Sequence, residues 1–192
     1  MALRVTAEEV FGYASRAIDP PLVAIDGLPC SGKSTLATSL EERFGFGCIY
    51  LDDFVLPESE WPSRDEPAFP FEYVRYDEFL GAIGSLAATG RCAYRPFDWA
   101  SLSTSGTTKE VSTERPVIIE GVSALNDAIC HLYGLRIFVD SDRSTTLEAA
   151  VARGAGKWAA EWRELFLPSV DLYMRSRPEG RADLLVAGRG VG

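Results

Sequence analysis

The stretch 22-LVAIDGLPCSGKST-35 decides the fold. Leu22–Asp26 is an apolar run of strand length, with Pro20 and Pro21 before it and Gly27 after it. Gly27-x-x-x-x-Gly32-Lys33-Ser34 follows, and then TLATSLEERFG, whose Leu36, Leu40 and Phe44 fall at helical spacing. Strand, glycine loop and helix together form the setting in which this pattern is a phosphate-binding P-loop. The glycines let successive backbone N–H groups face one anion, and the helix N-terminus adds the positive end of its dipole. Gly27, Leu28, Pro29, Cys30, Ser31, Gly32, Lys33, Ser34 and Thr35 are therefore the candidate nucleotide-binding residues. In this chemistry Lys33 reaches the β- and γ-phosphates and the Ser34 hydroxyl ligates Mg²⁺.

The rest of the chain supplies the frame. Its 192 residues are expected to form one domain, residues 1–192, long enough for a sizeable core. A net charge of −9 argues against nucleic acid or an acidic membrane surface as a partner. The four cysteines lack metal-type spacing and there is one histidine, so neither zinc nor a disulfide framework is indicated. The N-terminal MALRVTAEEVFGYASRA has no signal pattern and no apolar run reaches membrane length, so a cytoplasmic protein is expected.

Thr6-Ala7-Glu8-Glu9 is a capping box, predicting a helix to about Ala17. GCIYLDDF predicts a second strand ending at Asp52, and RPVIIEG, LRIFVD and ADLLVAG predict three more. Helices are predicted over about Lys33–Arg43, Tyr76–Thr89, Ser144–Arg153 and Lys157–Arg175, and RCAYRPFDW with TTKEVST predicts a hairpin. Apolar strands alternating with helices indicate a parallel sheet covered on both faces. Between strand and helix lies the proline-rich, aromatic segment Val55–Arg75, of the length usually reserved for a working loop.

Asp52 and Asp53, Glu120 and Asp140 all stand at strand ends, the working edge of a parallel sheet. Phosphoryl transfer needs one carboxylate for the acceptor hydroxyl and another for Mg²⁺ or its waters. A small-molecule kinase fits better than a regulatory GTPase: TKEV lacks the aspartate of the guanine-reading motif, and no Asp has Gly three residues later.

GLPCSGKST, YLDDF, YDEFLGAIGSLAATG, YRPFDW, VIIEGV, IFVDSD and ADLLVAG occur in that order. With them the chain resembles the uridine kinase/phosphoribulokinase-like group of P-loop kinases from about Val23 to Gly188. The resemblance implies an α/β, three-layer P-loop NTPase fold with a five-stranded parallel sheet in the order 2-3-1-4-5. A small acceptor-side hairpin and a helical lid complete it. It implies ATP and Mg²⁺ as cofactors and a small-molecule hydroxyl compound, nucleoside or sugar-like, as partner, with room for a homo-oligomer. Lys33, Asp52 and Arg153 take the catalytic places, Asp52 as the acceptor-activating aspartate and Arg153 as the lid arginine that is kept. Ser34, Asp52 and Glu120 take the Mg²⁺ side, while Asp53, Arg75, Phe97 and Asp98 take the acceptor side. ADLLVAGRG matches the segment that runs by the adenine ring.

Two departures bear on activity. Phe97 stands where uridine kinases have Tyr, and Ser101, Leu102 and Ser103 where they have a His, so two uridine-reading groups are gone. In the lid, Thr146, Ala149 and Ala150 replace arginines and Gly154 an aspartate; Arg143, Lys157 and Arg163 are the candidate substitutes. A nucleotide-binding sensor or partner-binding module with weak transfer is therefore a second reading. Trp158 and Trp162, four apart, are read as packing residues, and Trp61 and Phe69 as the better ligand contacts.

Overall fold

The computed structural model describes residues 2–16, 18–154 and 157–191. Five apolar strands form the predicted parallel sheet: β2 (Leu22–Gly27), β3 (Gly47–Tyr50), β8 (Val117–Glu120), β9 (Leu135–Asp140) and β10 (Leu184–Ala187). In strand-of-occurrence terms their order is the expected 2-3-1-4-5. A sixth strand, β1 (Leu3–Val5), extends the edge beside β10, so the full order is β1-β10-β9-β2-β8-β3, all parallel. The count of five is corrected to six because three mostly exposed residues on an edge carry no readable alternation.

Both faces of the sheet are buried, which is why β2 and β8 read as unbroken apolar runs. Ile25, Val23 and Ile118 face α1 (Ala7–Ala14) and α2 (Lys33–Phe44), packing on Val10, Leu36 and Leu40. Ala24, Ile119 and Val117 face the other layer, where α3 (Tyr76–Thr89) contributes Phe79, Ile83 and Leu86. Each such fully buried Ile or Leu stabilises by about 1.5–3 kcal/mol relative to exposure. The capping box at Thr6 and Glu9 is present, but α1 stops at Ala14 rather than near Ala17; Ala17 lies outside the described residues.

Register brings the working ends together: Ile25 and Tyr50 both pair with Glu120, from opposite sides of β8. The predicted strand through Asp52 ends at Tyr50, and Leu51–Phe54 form a 3₁₀ turn. In a 3₁₀ turn residues i and i+3 eclipse, so Leu51 and Phe54 both sink into the core. Asp52 and Asp53 are left on the outer sides of that turn.

The predicted hairpin is antiparallel β4 (Arg91–Tyr94) with β7 (Lys109–Ser112), and its tip carries β5 (Phe97–Asp98) paired with β6 (Ser103–Thr104). The lid side starts with α4 (Arg143–Gly154). The predicted helix Lys157–Arg175 is instead a short α5 (Ala159–Glu161), a π-helical turn over Trp162–Phe166 and α6 (Leu167–Met174). Pro168 sits in the first turn of α6, the one place a helix accepts it. No helix among the described residues is long and apolar enough to cross a membrane.

Candidate active site

Gly32 caps α2 at φ +112°, a conformation favouring glycine, and so turns the loop into the helix. The Lys33 side chain is 7% exposed and folds over the loop, its Nζ donating to the Leu28 carbonyl at 2.8 Å. Glu120 Oε1 lies 3.9 Å from the same Nζ. Burial pushes the Glu120 carboxyl up to about 7, and Asp52 and Asp26 add to it while Lys33 and the Ser34 hydroxyl oppose it.

Pro29 to Thr35 line a cleft of about 540 Å³ that also holds Asp52, Glu120, Arg153 and Arg189. Gly27 and Leu28 form the buried base of the loop and do not face it. Volume alone does not locate the site, since a groove of about 590 Å³ lies on the outer side of α4 and α6, lined by Leu147, Val151 and Arg163. That groove contains no part of the P-loop and no strand end.

Asp52 is open to water from the cleft, yet protein closes around its other sides. That enclosure raises its carboxyl above the ordinary aspartate value, against the pull of Lys33 and Arg153, and Asp53 raises it further. Asp53 points away from the cleft: it accepts from Tyr94 Oη at 2.7 Å and from Lys109 Nζ at 3.0 Å, tying the 3₁₀ turn to the hairpin.

The structure places the three other acceptor-side candidates outside the cleft as well. Arg75 donates to Glu78 and to the carbonyls of Asp53 and Arg95, so its guanidinium staples loop to hairpin. Phe97 is buried behind Trp99, with ring centroids 4.9 Å apart. Asp98 caps its own turn, accepting from Ala100 N and Ser101 Oγ. None of the four lines the cleft. Asp140, the remaining strand-end acid, pairs with Arg4 at 3.0 Å.

The lid is equally specific. Arg153 reaches the cleft, and no hydrogen bond or ion pair holds it among the described residues. The candidate substitutes are engaged elsewhere: Arg143 with Asp171, Lys157 with Glu58, and Arg163 on the outer groove. Thr146 and Ala150 are buried, so long cationic side chains have no room there. Gly154 is explained by contact, because a Cβ there would overlap the Trp162 indole.

Sequence reasoning missed a buried anchor. Asp26, fully buried, accepts from the N–H groups of Gly27, Ser123 and Leu125 and from Tyr173 Oη. Its burial raises its carboxyl, and these bonds oppose the rise. It ties the start of the P-loop to the turn after β8 and to α6. Its only sequence signal is an acid closing an apolar strand. Arg189 was missed too; its Nε and N donate to the Cys30 and Ser31 carbonyls, strapping the segment after β10 to the loop.

The residues fit a nucleotide polyphosphate. Ser31 Oγ is buried with no partner, the first-turn N–H groups of α2 have no intrahelical acceptor, and Lys33 keeps donors to spare. They also fit Mg²⁺, which is held by one or two carboxylates together with phosphates and water; Ser34, Glu120 and Asp52 are the oxygen donors at hand.

A strand, a phosphate loop leading into a helix N-terminus, and carboxylates on the adjoining strand ends define a P-loop NTPase fold. No family model matches the chain. It is 25% identical to a uridine kinase of Mycoplasma pneumoniae over 179 residues, covering 86% of this chain and 84% of the relative. The structure of a possible uridine kinase from Bacillus stearothermophilus superposes with a TM-score of 0.69 at 16% identity, covering 94% of each chain. That of a putative fructose transport system kinase from Silicibacter superposes with a TM-score of 0.62 at 25% identity, covering 85% of this chain and 88% of that one. In sequence and fold the chain is thus similar to the uridine kinase/phosphoribulokinase-like group of P-loop kinases.

Proposed function

We propose that the protein transfers a phosphoryl group from Mg·ATP to a hydroxyl of a small metabolite. The observation that supports this best is the meeting of three groups in one cleft: buried Lys33 from the loop, Asp52 from the 3₁₀ turn and Arg153 from the lid. The loop amides and Lys33 hold the β- and γ-phosphates. Ser34, Glu120 and Asp52 hold the metal or its waters. Mg²⁺, when bound, neutralises charge on the phosphate oxygens.

Asp52 orients the acceptor hydroxyl and takes its proton as the oxygen bonds to the γ-phosphorus and the bond to ADP breaks. Its raised carboxyl pKa brings it nearer working pH, which suits a proton acceptor. Arg153 stabilises charge on the phosphoryl group in transit. Asp26 and Tyr173 act as positioning residues, fixing the root of the loop against α6.

The thinned lid favours a second reading, a nucleotide-binding module with little transfer. An ADP-release assay with Mg·ATP across nucleosides, sugars and other alcohols separates the two. Uridine and fructose come first, since the names of the relatives point to them. Nucleotide binding with no acceptor-dependent ADP release from any compound would leave the binding-module reading.

A further inference from the structure

The chain has four tryptophans, Trp61, Trp99, Trp158 and Trp162, and all four line the cleft that the P-loop opens into. They come from separate places: the proline-rich loop, the hairpin tip and the lid. Their rings form one continuous wall. Trp61 lies 5.7 Å from Trp158 and 5.0 Å from Phe166, Trp158 lies 6.2 Å from Trp99, and Trp162 lies 5.3 Å from Phe166. Yet none of the four is fully buried, and Trp99 is 49% exposed. An apolar wall left wet inside a concave cleft suits a ligand's apolar face.

The polar groups near this wall decide what else the ligand carries. Trp61 and Trp158 spend their indole N–H groups within the protein, on the Leu56 carbonyl and on Glu58. The indole N–H groups of Trp99 and Trp162 have no partner among the described residues and can serve one or two ligand hydroxyls; each further hydroxyl of a polyol would go unpaired at about 1–3 kcal/mol. Arg64 and Lys157 are paired with Glu161, Glu164 and Glu58, and Arg75 with Glu78. Of the cleft's arginines, neither Arg153 nor Arg189 has an ion-pair partner among the described residues; Arg189 straps the P-loop through Cys30 and Ser31, and the transferring phosphoryl group claims Arg153. A cationic acceptor would meet that same Arg153. Ring centroids in mutual contact also make a wall rather than a cage around a cation.

Resting on the phosphoryl-transfer reading, we infer that the acceptor is a neutral, ring-bearing alcohol with one or two hydroxyls. Its apolar face lies on the four-tryptophan wall and its hydroxyl at Asp52. Polyols, anionic acids, nucleosides and cationic amino alcohols are poor fits.

Two readouts on the full-length protein separate this inference from the reading beneath it. Tryptophan fluorescence reports binding without turnover, because every tryptophan is in the wall; ADP release with Mg·ATP reports transfer. The probes are 2-phenylethanol and cyclohexylmethanol, against glycerol, fructose, glycerate, choline and uridine. The ring alcohols are expected to bind at least about tenfold more tightly than the others, and Trp99→Ala to weaken them about tenfold. Trp99 is half exposed, so the variant keeps its fold, with nucleotide affinity as the check. Tighter binding and higher kcat/KM for any of the five comparison compounds would overturn the acceptor class while leaving transfer intact. Ring alcohols bound with the expected preference but not phosphorylated would sink the transfer reading and keep the binding class. No fluorescence change with the ring alcohols, or unchanged affinity in Trp99→Ala, would overturn the inference.

Discussion

The two halves of the cleft are built by opposite means. The nucleotide half is one run of consecutive residues, Pro29 to Thr35, presenting backbone amides and one buried lysine. The acceptor half is assembled from the loop at Trp61, the hairpin tip at Trp99 and the lid at Trp158 and Trp162, and presents side-chain faces. A phosphate is the same anion in every nucleotide, so a local backbone nest suffices to bind it. An acceptor must be matched in shape, and that takes surfaces converging from distant segments. Asp52, Glu120 and Arg153 line the cleft that both halves share.

The sharpest way to break this division is to strike each half separately. Lys33→Ala should abolish nucleotide binding and turnover together, while Asp52→Asn should cut kcat by about 10²–10⁴-fold and keep nucleotide affinity within about threefold. Steady-state rates and nucleotide titrations check both. If Asp52→Asn weakens nucleotide as severely as Lys33→Ala, the halves are not separable. Arg153→Ala should lower kcat by about 10²-fold without loss of stability, since this exposed side chain has no structural partner among the described residues. An undiminished rate in that variant would assign charge stabilisation to the P-loop half alone.

Glu120 sharpens the comparison through pH. In the nucleotide-free protein its carboxyl is raised from 4.5 to about 7 by burial. Below both values the group is protonated in folded and unfolded chains alike, and it carries no penalty. As pH rises towards 7 the unfolded chain ionises freely while the folded one resists, so stability is lost. Wild type should therefore lose up to on the order of 3 kcal/mol relative to Glu120→Gln between about pH 4.5 and 7, then level off. Denaturant midpoints of the two proteins across that range test it; a constant gap would mean an ordinary carboxylate.

Asp53→Asn is expected to act on structure rather than chemistry. Losing the charge that holds Tyr94 and Lys109 should cost about 1–3 kcal/mol of stability, with turnover within about threefold. A rate loss matching that of Asp52→Asn would place Asp53 in the reaction. The smallest effect belongs to the lid's outer face. Arg143→Ala removes an exposed pair with Asp171 and should change stability by under about 1 kcal/mol and leave kcat within about twofold. A larger rate loss would show that the lid's outer cation shares the work of Arg153.

The nucleotide half was legible because its signal is contiguous: β2, the loop and α2 are read from neighbouring residues. The acceptor half was not. Resemblance placed Phe97 and Asp98 at the pocket, but Phe97 packs beneath Trp99 and Asp98 caps a turn. Arg75 looked available as a loop cation, yet it is spent on two carbonyls and Glu78. Trp158 and Trp162 read as helix packing because i,i+4 spacing is the same for a core stripe and for a cleft wall. The resemblance gave Asp52, not Asp53, the acceptor-activating place. What separates the two in the structure is a 3₁₀ turn anchored by Leu51 and Phe54.

By itself the sequence determined a phosphate-binding loop, a buried parallel sheet and acids at its working edge. Each of these is encoded in backbone-directed patterns a few residues long. Only the tertiary structure decided which acids face the cleft, that a short N-terminal strand extends the sheet edge, and that Arg153 lines the cleft while Arg143 is paired and Arg163 lies on the outer groove. It also gathered four tryptophans from three segments into one wall. The physical reason is that a side chain's partner is set by packing across the fold, at separations such as the 97 residues between Trp61 and Trp158, where no local pattern carries the information.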